Sequence, residues 1–153
     1  MTLIKDKIIT TSPTQTRRLG KNLARKLHQG SLVALCGSLG SGKTTMIKGI
    51  CQGLGIKELV RSPCFVIMTQ YQAKLPVYHF DLYRLKSPEE LHTIGYEEYF
   101  YGDGICLVEW AEKARNFLPD ERIEVYLKIV SNSEREIEIN EVKTKTQKKI
   151  KSK

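Results

Sequence analysis

The sequence of 153 residues predicts a single α/β domain in which a mixed sheet is flanked by helices. Its most informative segment is G-S-L-G-S-G-K-T at residues 37–44, which follows an apolar run at 31–36 and precedes a stretch with helical spacing of apolar residues. Strand and helix patterns alternate along the rest of the chain. A strand, a glycine-rich loop and a helix in succession are the context of a P-loop, so the predicted fold is P-loop NTPase-like.

The first part of the chain contains four predicted elements. Residues 7–10 form the first strand, and Ser12-Pro13 is a suitable N-cap and first residue for a helix that carries leucines at every fourth position. The run at 31–36 is nearly continuous in apolar residues, which is typical of a strand buried on both faces of a parallel sheet. A helix follows from Lys43, and its apolar face consists of Met46, Ile47, Ile50, Cys51 and Leu54.

Five strand patterns follow the loop helix, at residues 65–71, 76–80, 105–108, 123–130 and 135–140. The first two are separated by a polar turn at 72–74 and predict a hairpin. The last two flank the turn Ser131-Asn132-Ser133 and predict a closing antiparallel pair. Between these pairs, Ser87 precedes a proline and two glutamates, which predicts a short capped helix.

Each residue type in the loop has a separate physical task. The glycines allow the backbone to turn its N–H groups toward a phosphate, and the N-terminus of the following helix adds the positive end of its dipole. The Lys43 ammonium can reach the β- and γ-phosphates, and the Thr44 hydroxyl can ligate Mg²⁺. The segment therefore predicts that the chain binds a nucleoside triphosphate.

A P-loop also needs an acidic group that holds the magnesium ion, and two strand ends offer one. Asp81 follows the predicted strand at 76–80, and Glu109 follows the predicted strand at 105–108. Both lie where open α/β sheets bind their ligands, and spacing alone does not choose between them. His79 lies within an apolar strand and is interpreted as a hydrogen-bonded core residue rather than as a base.

Composition is typical of a small cytoplasmic protein without a membrane segment or an export signal. The four cysteines are far apart in sequence and form no C-x-x-C pair, so they are interpreted as small buried hydrophobic residues. The formal net charge is +8, and six of the 25 Lys and Arg residues lie within 143–153. We therefore divide the chain into a P-loop NTPase domain at 1–142 and a basic tail at 143–153, which is too poor in apolar residues to pack and is expected to be disordered.

Several segments together resemble one bacterial family. They are G-S-L-G-S-G-K-T-T at 37–45, R-S-P-C-F at 61–65, H-F-D-L-Y-R-L at 79–85, P-E-E-L at 88–91 with Gly95, and L-V-E-W at 107–110. In this order and spacing they are similar to the TsaE family, formerly YjeE. The resemblance covers residues 11–135 and implies a P-loop ATPase needed to make threonylcarbamoyladenosine in tRNA.

The resemblance implies roles for individual residues. Thr44 and Glu109 would ligate Mg²⁺, and Asp81 would be needed for ATP turnover together with Lys43 and Glu109. The residues implied to line the ATP phosphates are Leu39, Gly40, Ser41, Gly42, Lys43 and Thr44.

The resemblance also implies two switch regions, at 61–65 and 79–85. Tyr83 and Arg84 would then contact a partner or stabilise transition-state charge. Trp110 would pack near the nucleotide or at a partner interface. Two positions depart from the family pattern: Ser38 stands where Asp is usual, and Cys64 where Thr is usual. Neither supplies a backbone contact to phosphate, but Cys64 lacks the hydroxyl of a switch threonine.

The implied function is that of an ATP-hydrolysing accessory subunit. It would act on a complex of the TsaD transferase and the TsaB scaffold, and would meet tRNA only indirectly through that complex. The alternative is a small P-loop kinase that phosphorylates a metabolite, although no arginine-paired lid segment is visible. A third hypothesis is an RNA-binding module that uses the lysine tail; a GTPase is disfavoured because no N-K-x-D segment occurs.

Overall fold

The computed structural model describes residues 2–62 and 66–143, and its strands form one seven-stranded sheet in the order β1-β7-β6-β2-β5-β4-β3. The strands are β1 Thr2–Thr10, β2 Leu32–Gly37, β3 Met68–Tyr71, β4 Val77–Asp81, β5 Ile105–Glu109, β6 Arg122–Ile129 and β7 Arg135–Val142. The central strands β6, β2, β5 and β4 run parallel, and β1, β7 and β3 pair antiparallel at the two edges. The prediction of a single domain with a mixed sheet flanked by helices is confirmed.

Helices cover both faces of this sheet. The α-helices are α1 Pro13–Leu23, α2 Lys43–Gly53 and α3 Tyr96–Phe100, and the 3₁₀ helices are Ala24–Lys26, Pro88–Ile94 and Ala111–Phe117. Helices α1 and α2 pack on one face over a core that includes Val33, Leu35 and Ile47. Helix α3 and the two later 3₁₀ helices pack on the other face, over a core that includes Phe80 and Val108.

The parallel strands determine where the loops meet. Because β2, β4 and β5 run in the same direction, their carboxyl ends lie at one edge of the sheet. The glycine-rich loop follows β2, while Asp81 and Glu109 are the last residues of β4 and β5 and are in register with each other. The sheet therefore brings the loop and both acidic candidates to the same edge.

Several predicted elements are confirmed with changed bounds. The two antiparallel pairs, β3 with β4 and β6 with β7, are present, and the serine caps form: the Ser12 hydroxyl accepts from the Gln15 N–H, and Ser87 takes part in a capping box. The first strand is longer than predicted because it pairs along β7. The strand predicted from residue 65 begins at Met68, and residues 63–65 lie outside the described chain.

Other features were not predicted. Helix α1 ends at Leu23, short of the last leucine of its pattern, and the chain continues as a 3₁₀ turn. Helix α3 and the 3₁₀ helix Ala111–Phe117 were missed, since short elements carry little periodicity. The cysteine interpretation agrees with the described part of the chain, because burial raises the pKa of the Cys36, Cys51 and Cys106 thiols to about 12. Cys64 and the tail beyond Lys143 lie outside the described residues.

Within residues 2–62 and 66–143, no helix has both the length and the apolar composition needed to cross a membrane.

Helices α1 and α2 approach each other closely at glycines. A Cβ atom added to Gly49 would lie 2.0 Å from the Arg17 carbonyl oxygen, and one added to Gly20 would lie 2.3 Å from the Met46 carbonyl oxygen. These neighbours are backbone atoms of rigid helices, so they cannot move aside as a flexible side chain would. The crossing of the two helices therefore depends on the absence of side chains at both positions.

We expect Gly49→Ala to lower the free energy of unfolding by about 1–3 kcal/mol, because the methyl group forces the helices apart. Helix propensity alone would give the opposite sign, a gain of about 1 kcal/mol for replacing Gly by Ala. Urea unfolding of the variant measures the difference. The matched control is Gln52→Ala on the exposed side of α2, which should change stability by less than about 0.5 kcal/mol. A more stable Gly49→Ala variant would contradict the close approach.

Candidate functional site

The glycine-rich loop turns between β2 and α2 in a conformation that requires glycine. Gly42, which precedes the first residue of α2, has a φ of 107°, a region that side chains rarely adopt. The loop forms one wall of a cavity of about 280 Å³. The lining residues are Leu39, Gly40, Gly42, Lys43, Thr44, Thr45, Ser62, Asp81, Tyr83, Glu109 and Trp110. Of the residues implied to bind phosphate, Ser41 alone is absent from this lining, and its side chain is buried beneath the loop.

The Lys43 side chain folds back along the loop. Its ammonium donates hydrogen bonds to the carbonyl oxygens of Gly37 at 2.7 Å and Ser38 at 2.9 Å. Burial lowers the pKa of this ammonium, an effect that nearby Glu109 opposes. The loop carbonyls therefore hold a partly desolvated positive charge at the wall of the cavity.

Trp110 covers this charge from the other side. The Lys43 Nζ atom lies 3.9 Å from the centre of the indole, a distance at which a cation and an aromatic face attract each other. Trp110 has a φ of 58°, the only positive φ of a non-glycine residue in the described chain. Such a conformation costs on the order of 1–3 kcal/mol and tends to occur at functional sites. The Tyr83 ring contacts the same indole at a tilt, with ring centres 4.9 Å apart. Trp110 therefore lines the cavity while it also packs against the core on that face of the sheet.

Glu109 lies at the centre of a hydrogen-bond network. One carboxylate oxygen accepts from the Thr44 hydroxyl at 2.8 Å, and the other accepts from Ser62 at 3.1 Å. The Thr44 and Ser62 hydroxyls are also 2.8 Å apart. The two residues implied to ligate Mg²⁺ are therefore adjacent, and the first part of the segment 61–65 contacts both of them.

His79 supports Glu109 from behind. The histidine is fully buried in β4, and its Nε2 lies 2.6 Å from a Glu109 carboxylate oxygen. Its Nδ1 lies 3.2 Å from the Tyr71 hydroxyl, which is also 3.3 Å from the Arg61 carbonyl oxygen. The interpretation of His79 as a hydrogen-bonded core residue agrees with this placement, but sequence reasoning missed that its partner is the candidate metal ligand. The alternation of the strand pattern could not reveal it, because the partner is 30 residues away.

Asp81 lines the cavity opposite the loop and differs from Glu109 in its contacts. Its carboxylate accepts from the Tyr83 backbone N–H at 3.0 Å, which stabilises the turn after β4. Burial raises the pKa of this carboxyl, and the Tyr83 hydrogen bond partly opposes the effect. Asp81 is thus within the site and, like Glu109, has a hydrogen bond with the Ser62 side chain. Of the two acids, Glu109 is the one that accepts from the Thr44 hydroxyl. Arg84, the other candidate in this turn, has an exposed side chain.

A second cavity adjoins the first on the far side of the loop. It shares Gly40, Gly42 and Thr45 with the first cavity. Its remaining lining comes from the start of α1 and from the turn between β6 and β7, namely Ser12, Pro13, Thr16, Asn132, Ser133 and Arg135. Arg135 donates to the Gly40 carbonyl oxygen at 3.1 Å and so connects this turn to the loop. Sequence reasoning did not place these residues in the site, because they contact the loop only through the tertiary fold.

The donor set suits a magnesium ion bound together with phosphates. No group of three or more His, Cys, Asp or Glu side chains suited to a metal occurs in the described residues. Mg²⁺ in nucleotide sites does not need such a group, because phosphate oxygens and water supply most of its ligands and the protein adds one or two oxygens. The Thr44 hydroxyl and the Glu109 carboxylate, 2.8 Å apart at the end of the loop, fit that requirement.

Comparisons with known proteins point to one family. The family model described as "Threonylcarbamoyl adenosine biosynthesis protein TsaE" matches residues 10–137. The chain is 39% identical over 131 residues to the tRNA threonylcarbamoyladenosine biosynthesis protein TsaE of Treponema pallidum, covering 86% of this chain and 97% of that protein. It is 43% identical over 129 residues to the protein of the same name from Bacillus subtilis, covering 84% and 80%.

A solved structure is also similar. The crystal structure of Bacillus subtilis YdiB superposes with a TM-score of 0.80 at 36% identity, covering 99% of this chain and 95% of YdiB. The likeness therefore extends over the whole fold as well as over the motifs. On these matches, the chain belongs to the TsaE family of tRNA threonylcarbamoyladenosine biosynthesis proteins.

Proposed function

We propose that this protein hydrolyses ATP with Mg²⁺ and that hydrolysis supports threonylcarbamoyladenosine formation by a partner complex in the cytoplasm. The observation that carries the proposal is the convergence of Lys43, Thr44, Asp81 and Glu109 on one cavity beside the glycine-rich loop. A loop of this kind binds phosphates through backbone N–H groups, and the other groups supply the charge and the metal ligands that phosphoryl transfer requires.

The two adjoining cavities would hold the two ends of a nucleotide. The phosphates would lie in the first cavity, along the loop and the N-terminus of α2. The nucleoside would extend over Gly40 into the second cavity, between Pro13 and the turn that holds Arg135. This arrangement leaves the γ-phosphate beside Glu109 and Asp81.

Each residue of the site would have a separate role in hydrolysis. A γ-phosphate oxygen is a stronger acceptor than a neutral carbonyl, so the Lys43 ammonium would shift from Gly37 and Ser38 to the phosphate. Bound Mg²⁺ would neutralise charge that develops on the phosphates. Thr44 and Glu109 would hold that ion, with Glu109 kept in place by His79. Asp81, across the cavity, would orient the water that attacks the γ-phosphate.

The proposed partners are the TsaD and TsaB proteins, with tRNA reached through their complex. The rim of the phosphate cavity carries exposed apolar side chains, since Leu39 is 71% exposed and Tyr83 is 47% exposed. Exposed apolar and aromatic residues at a site are typical of protein interfaces. A partner bound at this rim would exclude water from the cavity and complete the charge stabilisation around the γ-phosphate.

The test is phosphate release from ATP by the purified chain, with and without TsaB and TsaD of the same organism, at saturating and zero Mg²⁺. We expect Mg²⁺-dependent release that rises when both partners are present. Release that the partners do not change, combined with transfer of the γ-phosphate to a metabolite, would favour the small kinase instead. Absence of release under every condition would overturn the ATPase proposal.

A further inference from the structure

The helical layer formed by α1 and α2 carries basic side chains and no acidic ones. Residues 7–57 contain no Asp or Glu. Their basic residues are Lys7, Arg17, Arg18, Lys21, Arg25, Lys26, Lys43, Lys48 and Lys57. Of these, Lys43 belongs to the phosphate site, and most of the others lie on the outer surface of the layer. These basic residues are distinct from those of the lysine-rich tail at 143–153.

Three of these residues form a line along the outside of α1 and the turn that follows it. The helix buries Thr16, Gly20 and Leu23 against α2 and the sheet. Arg18, Lys21 and Arg25 are spaced by three and four residues on the opposite side, and all three are exposed. At the rise per residue of an α-helix, the positions from Arg18 to Arg25 span about 10 Å along the helix axis. Lys26 and Lys48 are also exposed on this layer, and we define the α1 basic face as Arg18, Lys21, Arg25, Lys26 and Lys48.

These charges are not neutralised within the described part of the molecule. The ion pairs found in residues 2–62 and 66–143 involve other cations, and no carboxylate pairs with a member of the α1 basic face. On the opposite face of the sheet, the 3₁₀ helix Pro88–Ile94 and α3 together carry four glutamates and no Lys or Arg. The third helix on that face, Ala111–Phe117, carries Glu112, Lys113 and Arg115. A polyanion is therefore attracted more strongly to the α1 side than to the other.

The lysine-rich end of the chain begins beside this face. Lys143, the last described residue, lines a cavity together with Lys26, His28 and Arg122, and Glu121 and Glu141 are also in that lining. Five more lysines follow within residues 144–153. The tail thus starts at the Lys26 end of the α1 basic face.

We propose that the α1 basic face binds the phosphate backbone of RNA, with tRNA as the natural ligand. The proposal rests on the proposed function only in the choice of tRNA. RNA fits better than an acidic protein because none of the large exposed apolar residues of the described chain lies in α1 or α2. A protein interface depends on apolar and aromatic anchors, whereas phosphate contacts need charge alone and Arg adds bidentate hydrogen bonds.

The experiment measures binding of unmodified tRNA to the full chain by fluorescence anisotropy over a range of salt concentrations, without nucleotide. The test variant is Arg18→Gln/Lys21→Gln/Arg25→Gln. The control is Lys74→Gln/Lys86→Gln/Lys128→Gln, which removes the same charge from exposed positions elsewhere. We expect the test variant to bind at least about tenfold more weakly and the slope of log K against log salt to become shallower by about 2–3, while the control binds nearly as wild type.

Three outcomes would overturn the proposal. Equal losses in both triple variants would show a general effect of net charge. Unchanged binding by the test variant, with loss on removal of residues 144–153, would assign binding to the tail alone. Salt-sensitive self-association that the test variant abolishes while its RNA binding persists would show that a second copy covers the face. The binding assay contains no nucleotide, so failure of the RNA-binding proposal can be distinguished from failure of the ATPase proposal. Lys43→Ala is expected to bind tRNA normally.

Discussion

Lys43→Ala is expected to reduce partner-stimulated ATP hydrolysis by at least about 100-fold. The loss of one preorganised donor to a developing oxyanion costs about 10²–10³ in kcat in other enzymes. Among the described residues that line the phosphate cavity, this ammonium is the only Lys or Arg side chain. The measurement is phosphate release with TsaB and TsaD at saturating ATP and Mg²⁺. The loop carbonyls of Gly37 and Ser38 lose their donor but remain near solvent, so the fold should persist.

The control for this prediction is Lys74→Ala, which removes an exposed lysine from the turn before β4, at the opposite edge of the sheet from the loop. Its turnover should match that of the wild type. Circular dichroism of both variants would show whether the fold is intact. Hydrolysis by a folded Lys43→Ala protein within a few-fold of wild type would place the phosphates away from this side chain and contradict the proposed site.

Glu109→Gln is expected to raise the Mg²⁺ concentration needed for half-maximal hydrolysis by at least about tenfold and to lower turnover at saturating Mg²⁺. The amide keeps the size of the side chain and one accepting oxygen, but it removes the negative charge beside Thr44. Titration of hydrolysis with Mg²⁺ measures the effect. Glu109→Ala should in addition destabilise the fold, because the buried Nε2 of His79 would lose its hydrogen-bond partner.

Asp81→Asn tests the role of the other acidic residue in the site. The Tyr83 backbone contact to Asp81 can be kept by the amide oxygen, so the expected change is a lower turnover with little change in Mg²⁺ dependence. Glu98→Gln on α3, an exposed glutamate, serves as the control for charge. If Asp81→Asn shows the Mg²⁺ effect and Glu109→Gln does not, the metal ligand is Asp81 and the assignment of the two acids is reversed.

The sequence could predict the elements whose causes are local. The glycine-rich loop needs residues that adopt positive φ, as Gly42 does, and the flanking strand and helix follow from the spacing of apolar residues. The serine caps at Ser12 and Ser87 form through residues within three positions. The family motifs also named Lys43, Thr44, Asp81 and Glu109, and the fold brings all four together.

The sequence could not reveal the contacts that depend on strand order. Spacing left the choice between Asp81 and Glu109 open because both acids end parallel strands. In the structure Glu109 is buried and accepts from Thr44, while Asp81 is partly exposed and accepts from the backbone of its own turn. The support of Glu109 by His79 requires that β4 and β5 be adjacent. No local pattern encodes such pairs.

The sequence by itself determined the family, the α/β class and the position of the glycine-rich loop between a strand and a helix, because these depend on residue types within short segments. The tertiary structure alone decided that the turn bearing Arg135 closes the second cavity against Gly40, 95 residues earlier in the chain. It also decided that α1 and α2, both within the acid-free stretch 7–57, form one outer layer while the glutamates of α3 lie on the opposite face. The physical reason is that strand pairing and helix packing bring distant residues together, whereas periodicity reports only which side of an element is buried.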